Sequence, residues 1–259
     1  AVVLLGPIVL LRGGLPLHRQ ALAFYAAIAT VGTLVPAGTG YRAAQDLPGG
    51  ILSLLLSLIP LLAFPIALIL RVDRFAPKRL LGLLLGFCGV LFLVLPEAAL
   101  PDRAMLLVLP IALVAPFFYA LEGNIMARWG GTALRPGQVL LGSSLIGLPV
   151  AGAIALASGQ WIAPPLAAWG QPETALVVLS VIDIGIYAGY VWVVMRAGSV
   201  FAAQVSYLVT GFGMMWSMLL LGESFSVWVW AAMAVMFAGL ALVQPRPAVA
   251  VLPLGREQA

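Results

Sequence analysis

Eight apolar stretches, at residues 21–41, 49–70, 80–96, 104–126, 137–157, 174–195, 200–221 and 227–244, follow one another with only short connections between them. Most hold the roughly 20 apolar residues that a helix needs to cross the hydrocarbon core of a bilayer. The runs are continuous rather than alternating, which selects helices over the strands of a membrane barrel. Prolines interrupt several of them, at Pro36, Pro60, Pro65, Pro110, Pro116 and Pro149. Such breaks are tolerated in membranes where the freed carbonyls find other partners. With 63% hydrophobic and 8% charged residues, against about 45–50% and 25% in soluble domains, the chain carries too much apolar surface to hide in water. An all-α integral membrane fold follows. Residues 1–11 are apolar but short, and Arg12 follows them where a signal peptide would place its basic residues in front. They read as the tail of another helix, which brings the helical segments to nine.

Positive charge tests this count, because each missed or invented crossing would move every later loop to the other face. Assigning alternate loops to alternate sides places Arg12, Arg19, Arg71, Arg74, Lys78, Arg79, Arg128, Arg135, Arg196, Arg246 and Arg256 on one face, and only Arg42 and Arg103 on the other. So lopsided a division of the 13 basic residues marks the first face as cytoplasmic. It also explains the net charge of +4 without nucleic acid. The expected protein is a multi-pass protein of the inner or plasma membrane with its C-terminus, including a tail at 247–259, inside.

One pattern occurs twice. An apolar run ends at Leu70 and is followed by Asp73, Phe75, Phe87 and Gly89; 150 positions later come Leu220, Glu223, Phe225, Phe237 and Gly239. Five crossings separate Asp73 from Glu223, so the two lie on opposite faces and the repeated units are inverted, an arrangement that many secondary transporters share. The expected architecture is two inverted five-helix units, at 1–98 and 99–246, with the first of ten helices missing from the N-terminus. Each acidic residue, lying beside a helix start, is expected to favour the exposed amides of the helix that follows it.

The segment from Arg196 to Arg246 has small residues opening its first helix, a Leu-Gly-Glu end at 221–223 and a final glycine-bearing helix. It resembles the end of the EamA-type domain of the drug/metabolite transporter superfamily, and residues 41–95 resemble the equivalent part of the first domain. That resemblance implies a ten-helix carrier of small metabolites, amino acids among them, with both termini cytoplasmic.

Ionisable groups inside apolar runs are the first places to look for a site, since each costs about 2.5–3.5 kcal/mol at a helix centre and usually faces a cavity or a partner. Asp183 and Glu122 are the two acidic candidates. Tyr187 and Tyr190 follow Asp183 at i+4 and i+7 on one helical face, a stripe suited to substrate or proton. Glu122 has Tyr119 and Asn124 close in sequence and Arg128 six residues on. It either reaches headgroups or a loop arginine, or points inward with Asn124 and suits a cationic or amine-bearing solute. The helix 200–221 carries Gln204, Tyr207 and Thr210, with Gln204, Tyr207 and Gly211 on one face at i, i+3 and i+7, and Thr33 and Thr39 play a lesser part in 21–41; single hydroxyls in membrane helices are commonly satisfied by their own backbone. Gly82 with Gly86, and Gly185 with Gly189, are GxxxG pairs that mark close helix contacts.

The chain has one cysteine and one histidine, Cys88 and His18, which leaves no metal cluster and no disulfide framework. No cofactor is expected. Neither GxxxxGK[ST], GxSxG nor HExxH occurs, so a nucleotide motor and an intramembrane hydrolase lack their motifs. The expected function is secondary transport of a small organic metabolite by alternating access, with the bilayer, a solute and protons as candidate partners and a second copy of the chain left open. A membrane sensor or partner protein with a carrier fold is the alternative, and an intramembrane lipid-modifying enzyme a more distant one.

Overall fold

The computed structural model describes residues 2–94, 103–129, 134–159, 170–203 and 205–242. Among these residues all regular structure is helical. Helix α1 spans Val2–Leu11; α2 (Arg19–Ile28) runs through a π-helical turn, Ala29–Leu34, into α3 (Val35–Ala43). Helices α4 (Gly49–Leu56) and α5 (Ile59–Ile69) form one rod broken by a turn, and α6 covers Pro77–Val94. A 3₁₀ turn, Arg103–Leu107, leads into α7 (Leu109–Trp129), followed by α8 (Pro136–Ala157) and α9 (Gln171–Ala197). Short α10 (Ser199–Ala202), α11 (Val205–Leu221) and α12 (Val227–Ala241) complete the described chain. Among the described residues, five stretches are long and apolar enough to cross a membrane: Arg19–Ala43, Gly49–Ile69, Met105–Trp129, Pro136–Ala157 and Val177–Ala197.

Local chemistry explains where these helices break. Pro36 has no N–H to return to the carbonyl four residues back, and the backbone answers with a π turn in which Val35 N donates to Thr30 O, five residues back. Pro60 likewise has no N–H for the Leu56 carbonyl, and the rod 49–69 tightens there into i→i+3 turns, Ser57 N donating to Leu54 O and Leu58 N to Leu55 O, with Ser57 Oγ also donating to Leu54 O at 2.6 Å. Gly198 (φ 88°) and Gly222 (φ 68°) follow α9 and α11 directly with positive φ, which glycine adopts without steric cost.

Helix α6 packs most extensively on α12, with α4 on α11 and α3 on α7 next; contacts within the α6–α12 pair, and those of α4 with α11 against those of α5 with the start of the 199–221 segment, recur at the spacing of the sequence repeat. Gly89 lies against Ala232 and Met236, while Gly239 lies against Gly82 and Gly86; subtracting 150 from the α12 numbers exchanges one set for the other. Gly213 abuts Ser53, and Ala203 shares a buried cluster with Ala63. Gly50 faces Ser217, and Val200 packs with Ala67. In every pair one partner's number rises as the other falls, so both seams are antiparallel. The α6–α12 seam continues to Phe92 stacked on Trp228, with ring centroids 6.1 Å apart.

These glycine contacts leave no room for side chains: a Cβ on Gly239 would sit 2.5 Å from the Gly82 carbonyl oxygen, and one on Gly89 2.6 Å from Met236 Cγ. The Gly82–Gly86 pair therefore marks a close helix contact. Gly185 and Gly189 do not, since a Cβ at either would meet open space. Glu223 also departs from its expected place. Its carboxylate accepts from Gly49 N (2.8 Å) and Gly50 N (3.0 Å), at the start of α4 and not of α12, which follows it in the chain.

Contacts between loops respect the alternation read from charge. Arg135 Nη1 donates to Arg12 O at 3.0 Å and Gln138 Nε2 to Gly14 O at 2.8 Å, joining two connections assigned to one face. Glu223 joins two assigned to the other.

Candidate functional site

The site is built against the π turn Ala29–Leu34 between α2 and α3. Gly32 lies in its middle, and the Glu122 carboxylate of α7 fills the space beside it, so that a Cβ on Gly32 would fall on that carboxylate. Glu122 is only 2% exposed. From the opposite side, on α9, Tyr187 donates its phenolic proton to Glu122 Oε1 at 2.5 Å. A carboxylate taken out of water needs such donors, since leaving one unmatched costs more than any packing contact returns.

Next to Glu122, Gly123 gives space to Tyr190, whose hydroxyl oxygen would lie 2.7 Å from a Cβ placed there. The two phenol rings sit with centroids 6.4 Å apart. One residue further, Asn124 is fully buried and points across α7 to other neighbours. Its Nδ2 donates to Ala63 O of α5 (3.0 Å) and to Ala120 O (2.8 Å), and its Oδ1 accepts from Ser199 Oγ of α10 (2.8 Å). Its amide is thereby committed to joining α7, α5 and α10. The carboxylate and the phenols are chemically able to hold and pass a proton, or to accept a positively charged or amine group in place of the tyrosine donor.

The candidates named from sequence thus divide. Glu122, Asn124, Tyr187 and Tyr190 come together, and Glu122 takes the inward orientation. Asp183 is exposed, one turn before Tyr187 on α9. Thr210 Oγ1 donates to Ser53 O (2.7 Å) and Ser206 O (2.9 Å), which assigns it to the α4–α11 seam. Thr39 Oγ1 donates to Val35 O and Pro36 O of its own helix (2.9 and 3.3 Å), and Thr33 is exposed. Gln204 and the Tyr207 side chain lie outside the described residues. Sequence reasoning passed over Gly32 and Ser199. Pro36, four residues after Gly32, was the available signal for an irregular turn there. Among the described residues no group of three or more His, Cys, Asp or Glu side chains could hold a metal ion.

Apolar helices long enough to span a bilayer, enclosing a buried carboxylate and two phenols, define a multi-pass helical membrane protein with an intramembrane polar site. The model of the EamA-like transporter family matches residues 106–244, more than half of the chain. The chain belongs to that family, and so to the drug/metabolite transporter superfamily. The match includes Glu122, Asn124, Tyr187, Tyr190 and Ser199, with Gly32 outside it. No curated protein matches the sequence significantly.

Proposed function

We propose that this protein is a secondary carrier that moves a small organic metabolite, an amino acid or related solute, by alternating access, with Glu122 and Tyr187 at the site where solute or proton is held. The observation that carries this is the Glu122 carboxylate, buried between Tyr187 and the π turn at Gly32. A carboxylate with no ion pair among the described residues, beside backbone that has left the regular helix, is how membrane carriers build ion and solute sites.

Alternating access needs two units that rock against each other, and the reciprocal contacts supply the support for two such units at 1–98 and 99–246. A contact between residue a and residue b+150 that reappears between a+150 and b is what a two-fold axis produces. Where the paired helices run antiparallel, that axis is perpendicular to them, which in a bilayer means lying in the membrane plane. The cytoplasmic side is the one carrying eleven of the thirteen basic residues. Asp183 remains a second candidate for proton coupling, separable from Glu122 by substitution.

A thermal-shift screen of the full-length protein against amino acids, amines and related metabolites tests the site. Binding stabilises the folded state by mass action, about 2.7 kcal/mol at a hundredfold excess over Kd. A ligand that shifts the wild type and not Glu122→Gln is the expected result. A ligand whose shift survives Glu122→Gln and Tyr187→Phe unchanged places the solute elsewhere, and ligand binding without any flux would make the protein a sensor with a carrier fold.

A further inference from the structure

A cavity of about 600 Å³ opens between the start of α2 and the end of α7, and Glu122 and Tyr187 are not among its lining residues. Its walls change character along the helices. His18, Gln20, Arg128 and Trp129 stand at the end that belongs to the basic face. Moving along α2 and back along α7, the lining becomes Ala23, Phe24, Ala27 and Ile125. Gln20, Ala23 and Ala27 occupy one face of α2 at i, i+3 and i+7, and the two alanines present no more than a methyl group each to the groove.

Charge at the polar end is of one sign. Arg128 and Trp129 are exposed, Arg19 follows His18, and no carboxylate lines the cavity among the described residues. His18 Nδ1 accepts from Ala21 N at 3.2 Å, which leaves Nε2 of the neutral ring as its donor. Tryptophan and arginine together at the end of a spanning helix suit the headgroup level of a bilayer. A vestibule serving a polar transport site would be polar towards that site, whereas this groove is lined there by Ile125, Phe24 and Ala27.

We infer that this groove seats a phospholipid of net negative headgroup charge from the leaflet that the basic loops face. Its phosphate lies at Arg128, Gln20 and His18, and an acyl chain lies along Ala23 and Ala27. The complementarity is twofold: cationic and donor groups where the headgroup sits, and an apolar trough running the way the chain runs.

The test uses the full chain in detergent, titrated with short-chain phosphatidylglycerol, short-chain phosphatidylcholine and glycerol phosphate, with thermal stability and native mass spectrometry as readouts. Phosphatidylglycerol should bind more tightly than phosphatidylcholine. Arg128→Gln should weaken phosphatidylglycerol about fivefold, the size expected for one basic side chain at an anionic lipid surface, and leave phosphatidylcholine unchanged. Ala27→Leu should weaken both lipids by filling the trough. Equal binding of the two lipids, or a phosphatidylglycerol affinity indifferent to Arg128→Gln or Ala27→Leu, overturns the inference. Glycerol phosphate stabilising as strongly as the lipid would make this a site for soluble anions, and a dimer abolished by Ala27→Leu without lipid preference would make it a contact between copies; either result also overturns it.

Discussion

Tyr187 and Glu122 offer a hydrogen bond whose energy reveals its nature. Tyr187→Phe removes the donor and Glu122→Met removes the acceptor at similar volume, so the double-mutant cycle isolates the bond itself. Between neutral groups in a helical membrane protein, such bonds average about 0.6 kcal/mol and reach about 1.7 kcal/mol. With an ionised acceptor the range is about 1.5–3 kcal/mol. The bond is short and its acceptor 2% exposed, so water does not dilute it, and with the carboxylate ionised it falls in the upper range. Reversible unfolding of the four proteins in mixed micelles, at a pH well above the ordinary carboxylate range, should therefore give a coupling of about 2 kcal/mol. Repeating the cycle in acid should bring it towards about 0.6 kcal/mol as the carboxyl takes up its proton. A coupling within about 0.3 kcal/mol of zero at both pH values would mean that the two side chains do not interact as described.

Gly32→Ala should displace the carboxylate, costing about 1–3 kcal/mol of stability by overpacking and lowering ligand affinity at the Glu122 site; an unchanged melting temperature would contradict the close approach. On the helix seams, Gly89→Val and Gly239→Val should be destabilising by similar amounts, again about 1–3 kcal/mol, while Gly189→Val, facing open space, should change the melting temperature little. Unequal effects at Gly89 and Gly239 would argue against the two-fold relation. Glu223→Ala removes the acceptor of Gly49 N and Gly50 N and should lower stability by about 1–3 kcal/mol, measurable by thermal melting in detergent.

Much of the fold was legible in the chain because the bilayer imposes a length on every crossing and the basic residues sort the loops. Breaks were legible in part: Pro36 and Pro60 remove specific hydrogen bonds beside real interruptions, whereas Pro65, Pro116 and Pro149 lie inside continuous helices. Neighbours were not. Periodicity places Asp183, Tyr187 and Tyr190 on one helical face, yet whether a turn of α9 meets α7 or the surface depends on how two helices cross, and Asp183 falls one turn before the contact that buries Tyr187. Gly185–Gly189 and Gly82–Gly86 have the same spacing, but only the second pair meets another glycine-bearing helix. Glu223 was legible as an anion seeking free amides; that the amides belong to α4, 174 residues away, is a fact of the α4–α11 seam.

Solute flux tests the central claim most directly. Full-length protein in proteoliposomes, supplied with a ligand identified by thermal shift, should catalyse counterflow that falls at least tenfold in Glu122→Gln, while Arg42→Gln, on an exposed loop pair with Asp46, remains near wild type. Counterflow undiminished by Glu122→Gln, or none for any ligand that binds, would contradict a carrier working through this carboxylate.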